Sequence, residues 1–216
     1  GLFVKLFDPV AMVAAALVFL PLERLFPLHS ATAGRAQRPT NLVYFLANGA
    51  VIRTIMLFVV VAVAKGAGFL VPLEWRESVG GLPLWAQTVI LILAADFGFY
   101  WAHRLFHAAP SLWRFHAIHH SSEHLDWMAA FRVHPVDQVF SATVSLIPMF
   151  AFGFSDWAIA AYALSYRWQL ILVHSNVRLP LGRLAWVVAT PEFHHWHHSR
   201  LPAARDKNFG RQTALW

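Results

Sequence analysis

The chain has 216 residues, of which 58% are hydrophobic and 13% are charged, and its formal net charge is +6. About a quarter of the residues of a soluble domain are normally charged, so this composition favours a protein with several membrane-spanning segments. Cysteine is absent, which excludes disulfides, thiolate metal sites and cysteine nucleophiles. The basic residues are dispersed among apolar segments, so the positive charge does not indicate a nucleic-acid-binding protein.

Five apolar segments follow one another along the chain, at about 9–22, 43–71, 84–102, 136–153 and 157–173. A bilayer core needs about 20 residues of helix, so the second and third segments are predicted to span it, while the first is short. Only residues 153–156 separate the last two segments, which predicts a helical hairpin whose second arm is capped by Ser155 or Asp156. We therefore predict an all-α polytopic membrane protein with three or four transmembrane helices.

Lysine and arginine are concentrated in residues 23–42, in residues 103–135 and in the tail after residue 174. The connection between the second and third apolar segments has only Arg76, next to Glu74 and Glu77. Basic segments remain on the cytoplasmic side of a membrane. The histidine groups described next belong to that side, so we expect them to form a histidine-rich helical cap facing the cytoplasm.

Twelve of the 13 histidines lie between His103 and His198, and most of them form three groups. The groups read HxxxH at 103–107, HxxHH at 116–120 and HHxHH at 194–198. Side chains three or four residues apart share one face of a helix, so the imidazoles of a group can bind one metal. An ion takes roughly four to six donors, so the number of histidines predicts two ions. The eight predicted core ligands are His103, His107, His116, His119, His120, His194, His197 and His198.

Three further histidines lie near these groups. His134 precedes the hairpin and His174 ends it, so both should reach the cytoplasmic edge, and we predict both as additional ligands. His195 is rotated by about 100° from His194 on a helix. We therefore expect His195 to lie around the metal site or to line a substrate channel.

A carboxylate and a phenol lie on the same helical face as the first histidine pair. Asp96, Tyr100, His103 and His107 follow one another at intervals of four, three and four residues, which places them in one stripe. We expect Asp96 and Tyr100 to support the metal site or to line a substrate channel. Hydrogen bonding between helices is the alternative role for both.

The three histidine boxes, in this order and at the edges of apolar segments, resemble those of the fatty acid hydroxylase/sterol desaturase superfamily of integral-membrane di-iron enzymes. The resemblance covers about residues 84–216. It includes Leu-Trp-Arg-Phe at 112–115, Ala-Phe-Arg-Val-His-Pro at 130–135, Thr-Pro-Glu-Phe at 190–193 and Asn-Phe-Gly at 208–210. It implies a catalytic domain at 84–216, packed as one unit with N-terminal membrane helices at 1–83. We expect the family's closing stretch to continue beyond Trp216.

The resemblance implies two iron ions, with zinc as a substitute, and molecular oxygen as co-substrate. By position, the eight box histidines would be ligands, and His134 and His174 would complete the set. The implied reaction is hydroxylation or desaturation of a membrane lipid, such as a sterol or a fatty acyl chain. Residues 121–123 and 132–135 look closer to the sterol desaturase branch. Aromatic residues near the boxes could form the wall of the substrate channel, although such residues are more often membrane anchors; the candidates are Phe99, Tyr100, Trp127, Phe131 and Trp196.

An oxidation of this kind consumes electrons, which the chain has no means of its own to supply. The glycines at 66–68 and 80–81 lack the spacing of a dinucleotide-binding motif. A separate electron donor is therefore expected, namely a reductase with a ferredoxin or a small cytochrome.

Three other interpretations remain open at this point. A histidine-rich membrane metal transporter would place ligands and carboxylates near the middle of the bilayer, whereas the boxes here lie at its edge with only Asp96 deeper. A haem protein needs one or two axial histidines and leaves the others unexplained. A non-catalytic protein with a bound zinc pair would keep the same ligands.

Overall fold

The computed structural model describes residues 8–29 and 35–216, and these residues are helical with no β-strand among them. The all-α prediction is therefore confirmed for the described part of the chain. The helices are α1 (Pro9–Leu25), α2 (Arg38–Ala67), α3 (Leu73–Gly80), α4 (Leu84–Ala108), α5 (Pro110–His119), α6 (Pro135–Ala151), α7 (Asp156–His174) and α8 (Pro191–His197).

Two of the described helices, α2 and α4, are long and apolar enough to cross a membrane. They have 30 and 25 residues, and the mean hydropathy of their most apolar windows is 2.1 and 1.4. α1 and α6 have 17 residues each and α7 has 19, fewer than the roughly 20 that a bilayer core requires. The predicted number of three or four spans therefore stays a prediction beyond these two.

Helix α4 is the centre of the bundle, because both α6 and α7 pack against it. Gly98 brings α4 close to α6, since a Cβ at Gly98 would lie 3.2 Å from Val144 Cγ1. The two arms of the predicted hairpin thus pack mainly against α4 rather than against each other. Ser155 Oγ accepts a hydrogen bond from Ala158 N at 3.3 Å, so Ser155 is the cap of α7, one of the two residues predicted for that role.

The histidines are brought together because several helix ends meet at one end of this bundle. α4 and α7 end there and α6 begins there, while the short helices α5 and α8 cover the same end. Proline in the first turn of α5 and α8 fixes where each begins. Thr190 Oγ1 caps α8 by accepting from Phe193 N at 3.2 Å.

The N-terminal helices are tied to this histidine-rich end by buried polar contacts. Glu23, at the end of α1, accepts hydrogen bonds from the backbone N–H groups of Trp127 at 2.7 Å and Asn176 at 3.0 Å. The guanidinium of Arg38 joins Glu23 at 3.2 Å to Asp126 at 2.7 Å. The loops before α6 and after α7 are therefore held in place by α1 and α2.

Candidate metal centre

Nine histidines form two groups in which one ring nitrogen of each member lies within 4.8 Å of the others. Group one contains five rings from α4, α5 and α8, and group two contains four rings from α5, α7 and α8. The groups adjoin, since the stacked rings of His120 and His198 have centroids 4.3 Å apart. Group one consists of His103, His107, His116, His120 and His197, and group two consists of His119, His174, His194 and His198.

The second and third histidine boxes each contribute to both groups, with opposite assignments. In the second box, His116 and His120 belong to group one, and His119 belongs to group two. In the third box, His194 and His198 belong to group two, and His197 belongs to group one. The second and third boxes therefore each contribute to both candidate metal sites, whereas both histidines of the first box belong to group one.

The ring nitrogens of each group are arranged as donors to a shared cation. His103 Nδ1 donates to the carbonyl oxygen of Phe209 at 2.9 Å, and His116 Nδ1 lies 2.7 Å from Asp137 Oδ2. Carbonyl and carboxylate oxygens only accept, so the Nε2 atoms of these rings carry bare lone pairs when the rings are neutral. Those two Nε2 atoms lie 3.0 Å apart. Lone pairs at that distance repel each other unless a cation lies between them. A separation of this size is also expected between neighbouring donor atoms on one metal ion whose metal–nitrogen bonds are about 2.1 Å long.

Group two repeats this arrangement. His119 Nδ1 donates to the carbonyl oxygen of Arg132 at 3.1 Å, and His174 Nδ1 donates to that of Leu170 at 2.7 Å. Their Nε2 atoms are 3.1 Å apart, and His194 Nε2 lies 3.0 Å from His174 Nε2. The residues of both groups therefore fit a divalent metal held by nitrogen.

Burial keeps these rings in the state that a ligand requires. It lowers the pKa of His119 to about 4. It also lowers the pKa of His194, His197 and His198 well below the ordinary value, and the neighbouring imidazoles add to the effect. These rings are neutral at pH 7, and only a neutral imidazole can bind a metal.

The C-terminal segment, residues 206–213, orients three of the five rings of group one. The carbonyl oxygens of Phe209 and Lys207 accept from His103 and His197, and Asp206 Oδ1 lies 3.1 Å from His107 Nδ1. Asp206 and Asn208 have φ angles of 56° and 58°, a conformation that Asp and Asn tolerate better than most residues. Such outer partners fix the tautomer and direction of a metal-binding ring.

Asp96 holds this segment and does not point towards the histidines. Its buried carboxylate accepts hydrogen bonds from the backbone N–H groups of Arg211, Gln212 and Thr213 at 3.3, 2.9 and 3.0 Å, and from Thr213 Oγ1 at 2.7 Å. The predicted role of Asp96 in supporting the metal site stays a prediction, and the structure shows that its direct partners are residues 211–213. Asp96 reaches the metal centre only through the segment that it anchors.

Two predicted histidines are not brought into either group. His134 Nδ1 accepts a hydrogen bond from Val136 N at 3.1 Å as the cap of α6, and the ring packs against Phe115 with centroids 4.7 Å apart. His195 Nε2 donates to the carbonyl oxygen of His174 at 3.2 Å, and its ring stacks on His29. We therefore leave His134 out of the ligand set. His195 and Trp196 line an open cavity of about 570 Å³ together with His198, so their predicted roles around the site stay predictions.

Two predicted channel residues lie elsewhere, and a third lies beside the first histidine pair. Trp127 and Phe131 are buried in the apolar core, where Phe131 meets Phe45 edge to face at 5.0 Å. Tyr100 Oη accepts from Arg104 Nη1 at 2.5 Å, and Tyr100 lines an open cavity of about 440 Å³ together with His107. Its predicted role beside the metal site therefore stays a prediction.

Two of the cavities beside the histidine groups share no lining residue. One, of about 690 Å³, is open and is lined by His107, His120, His197 and His198 together with Arg200 and Arg205. The other, of about 40 Å³, is lined by the remaining five grouped histidines and by residues of α4, α6 and α7, including Phe99. Phe99 is thus the predicted wall residue that faces this inner cavity.

Sequence reasoning missed Asp137, Asp206 and Arg211. An acidic residue in the first turn of α6, three residues after His134, was a signal that could have identified Asp137. Asp206 and Arg211 reach the site through a loop whose path the sequence pattern does not predict.

Residues 88–216 match the family model described as fatty acid hydroxylase. The chain belongs to the fatty acid hydroxylase family. It is 35% identical over 134 residues to the ornithine lipid hydroxylase OlsE of Rhizobium tropici, a match that covers 62% of this chain and 40% of that protein. It is 31% identical over 128 residues to the alkylglycerol monooxygenase of Xenopus tropicalis, with 59% of this chain and 28% of that protein covered. It is 25% identical over 166 residues to the fatty acid hydroxylase vlmA of Lecanicillium sp, with 67% of this chain and 44% of that protein covered.

The resemblance to the fatty acid hydroxylase superfamily is therefore confirmed, and together with α2 and α4 it indicates membrane association. The chain spans less than half the length of these relatives. Their names refer to ornithine lipids, alkylglycerols and fatty acids, and the closer likeness to sterol desaturases stays a prediction. No solved structure matches the chain.

Proposed function

We propose that this protein hydroxylates a membrane lipid with molecular oxygen at a pair of iron ions held by groups one and two. The observation that carries the proposal is the convergence of nine imidazoles into two adjoining donor sets at one end of a bundle with apolar helices. Nitrogen donors suit a redox-active iron pair. Relatives named as lipid hydroxylases and monooxygenases support the same chemistry.

The overall reaction consumes one O₂, two electrons and two protons for each C–H bond converted to C–OH, and it releases one water molecule. When bound, the iron pair supplies the electron transfer and O–O cleavage that an unactivated C–H bond requires. The chain contributes the rest. Its histidines would hold the ions, its carbonyl and carboxylate partners fix the rings, and the small inner cavity would keep bulk water from the reacting carbon.

The two cavities suggest separate routes to the centre. The inner cavity lies among α4, α6 and α7, where a lipid can approach from the bilayer. The open cavity, with Arg200 and Arg205 at its rim, suits docking of an acidic electron carrier. We place this end of the protein on the cytoplasmic side, where a reductase with a ferredoxin or small cytochrome is available.

Hydroxylation and desaturation use the same electrons and differ in the fate of the lipid, which gains an oxygen atom or loses two hydrogens. The names of the relatives favour hydroxylation. A metal transporter would use Asp96 as a ligand within the span. Here that carboxylate is engaged by residues 211–213, which argues against transport.

The test combines metal analysis with lipid mass spectrometry. We expect the protein purified from membranes to hold two non-haem irons and to consume oxygen in the presence of lipid and a reductant. Host cells with the gene should contain a lipid with one additional oxygen atom. His119→Ala should abolish this product without preventing membrane insertion, whereas His124→Ala, at an exposed histidine outside both groups, should retain it. Metal flux into liposomes without lipid oxidation, or a product that His119→Ala still forms, would contradict the proposal.

A further inference from the structure

The inner cavity contains a cation as well as metal-binding histidines. Arg211 is 4% exposed and lines this cavity with five of the grouped histidines. Its guanidinium carbon lies 3.8 Å from the centre of the Phe99 ring and 4.1 Å from that of Tyr166. The planar guanidinium is therefore stacked between two aromatic rings, which fixes the orientation of its plane.

The guanidinium of Arg211 has more donors than its neighbours accept. Nη1 donates to Tyr166 Oη at 3.3 Å, and the hydroxyl of Tyr162 on α7 is a second hydrogen-bond partner of the guanidinium. Nε and Nη2 are buried without a hydrogen-bond partner, and no carboxylate of the described residues forms an ion pair with Arg211. Burial of an unpaired charge with unsatisfied donors is costly, so the arrangement requires an explanation.

The backbone keeps Arg211 in this position. Asp96 accepts from the N–H groups of Arg211 and of the next two residues. The side chain therefore starts from a fixed point in the interior and is almost completely buried. Arg211 lines a space of about 40 Å³, on the order of one or two water molecules.

We propose that Arg211 binds a hydrogen-bond-accepting oxygen of the lipid substrate, such as an ether, ester, amide or carboxylate oxygen. The inference rests on the proposed function and names the substrate class more narrowly. Because the cavity is small and is lined by both Arg211 and metal ligands, the bound oxygen and the carbon to be oxidised are separated by only a few bonds. The protein therefore selects lipids that are oxidised near a polar group, and a plain hydrocarbon chain is a poor substrate.

Binding, measured without turnover, tests this proposal. The full chain in lipid nanodiscs is loaded with Co(II), and ligand binding is followed from the visible spectrum of the metal. The probes are methyl hexadecanoate and 1-O-hexadecylglycerol, each compared with hexadecane, which has no acceptor. One hydrogen bond to a charged donor corresponds to about tenfold or more in affinity. We expect the wild type to prefer both oxygen-bearing probes by about that factor.

Arg211→Met should remove this preference, because it keeps the bulk of the side chain but has no donor. Its thermal midpoint should be equal to or higher than that of the wild type, because an unpaired buried charge is replaced by an apolar group. A structural role of Arg211 predicts the opposite, a lower midpoint with the preference unchanged. Arg104→Met is the matched control: Arg104 is exposed and lies over Tyr100 and Trp101 on the outer side, and its loss should leave the preference unchanged.

Arg211→Gln provides a second variant in case Arg211→Met does not bind two Co(II) ions. It keeps a neutral donor of shorter reach and should reduce the preference without abolishing it. A preference that is absent in the wild type, or unchanged in a metal-loaded Arg211 variant, overturns the inference. A different outcome would contradict the proposed function alone: the iron-loaded wild type oxidises no lipid, although it still prefers the oxygen-bearing probes in the binding assay.

Discussion

Replacement of Asp96 by asparagine should remove the metal of group one and leave that of group two. Asp96 makes no contact with a histidine, but its four hydrogen bonds hold residues 211–213. The same C-terminal segment supplies the Nδ1 partners of His103, His107 and His197. Group two takes its backbone partners from Arg132 and Leu170, which the substitution does not affect.

The size of the effect follows from these contacts. Asparagine keeps one acceptor oxygen and presents an N–H₂ group to Thr213, so two of the four bonds are lost. Each hydrogen bond to a charged group contributes about 1.5–3 kcal/mol, so roughly 3–6 kcal/mol that hold the segment disappear. Loss of an outer partner typically lowers metal affinity by about 10–100-fold. With three rings affected, we expect the affinity of group one to fall by at least about 100-fold.

Metal content after dialysis against a buffered concentration of Zn(II) or Fe(II) measures this directly. The wild type should retain two ions and Asp96→Asn one. Thr213→Val, which removes only the bond from Oγ1, should have an intermediate affinity, and Asp156→Asn, at an exposed aspartate of α7, should match the wild type. In a His194→Ala background, where group two is already disabled, Asp96→Asn should reduce the content from one ion to none.

The reasoning is refuted if Asp96→Asn retains both ions with unchanged affinity. It is also refuted if both ions are lost in parallel while the thermal midpoint of the protein is preserved, because the effect would then not be confined to the C-terminal segment.

Three further predictions concern the same centre. His119→Ala should weaken group two and His197→Ala group one, by at least about tenfold in affinity, which stepwise metal titration of each variant would show; the reverse pattern contradicts the assignment. Gly210→Ala should impair group one, because a Cβ would lie 2.1 Å from the carbonyl oxygen of Thr213, whereas Gly66→Ala, with nothing within 4 Å, should bind metal normally in the same dialysis. The metal-free protein should lose stability as the pH falls from about 6.5 to 4. In that range His119 takes up a proton in the unfolded chain but not in the folded protein, where its pKa is about 4, so protonation favours unfolding. Denaturant midpoints that stay constant across this pH range would contradict the prediction.

The sequence predicted the histidine-rich end well because the responsible patterns are local. Spacings of three and four residues identify rings that share a helix face, and long apolar runs identify α2 and α4. A hydroxyl before an acidic residue identified the cap of α7. These features depend on neighbours along the chain, so a single sequence contains them.

The structure departs from the sequence pattern where side-chain direction and long-range partners decide what a residue contacts. Asp96 lies in the predicted stripe, but the donors that it accepts from are 115–117 residues away. His134 reaches the predicted edge, where its Nδ1 is used to begin α6. The division of the second and third boxes between two groups depends on how α5 and α8 lie across the end of α4, which spacing alone does not specify.

The reciprocal sharing of α5 and α8 has a mechanical consequence. Each short helix contributes to both groups, so the distance between the two proposed ions would be set by the spacing of residues on a helix rather than by flexible loops. A sideways shift of α8, for example when a carrier docks beside the exposed Trp196, would shorten the contacts in one proposed coordination shell and lengthen them in the other. A change at one proposed metal site would therefore always be accompanied by a change at its neighbour.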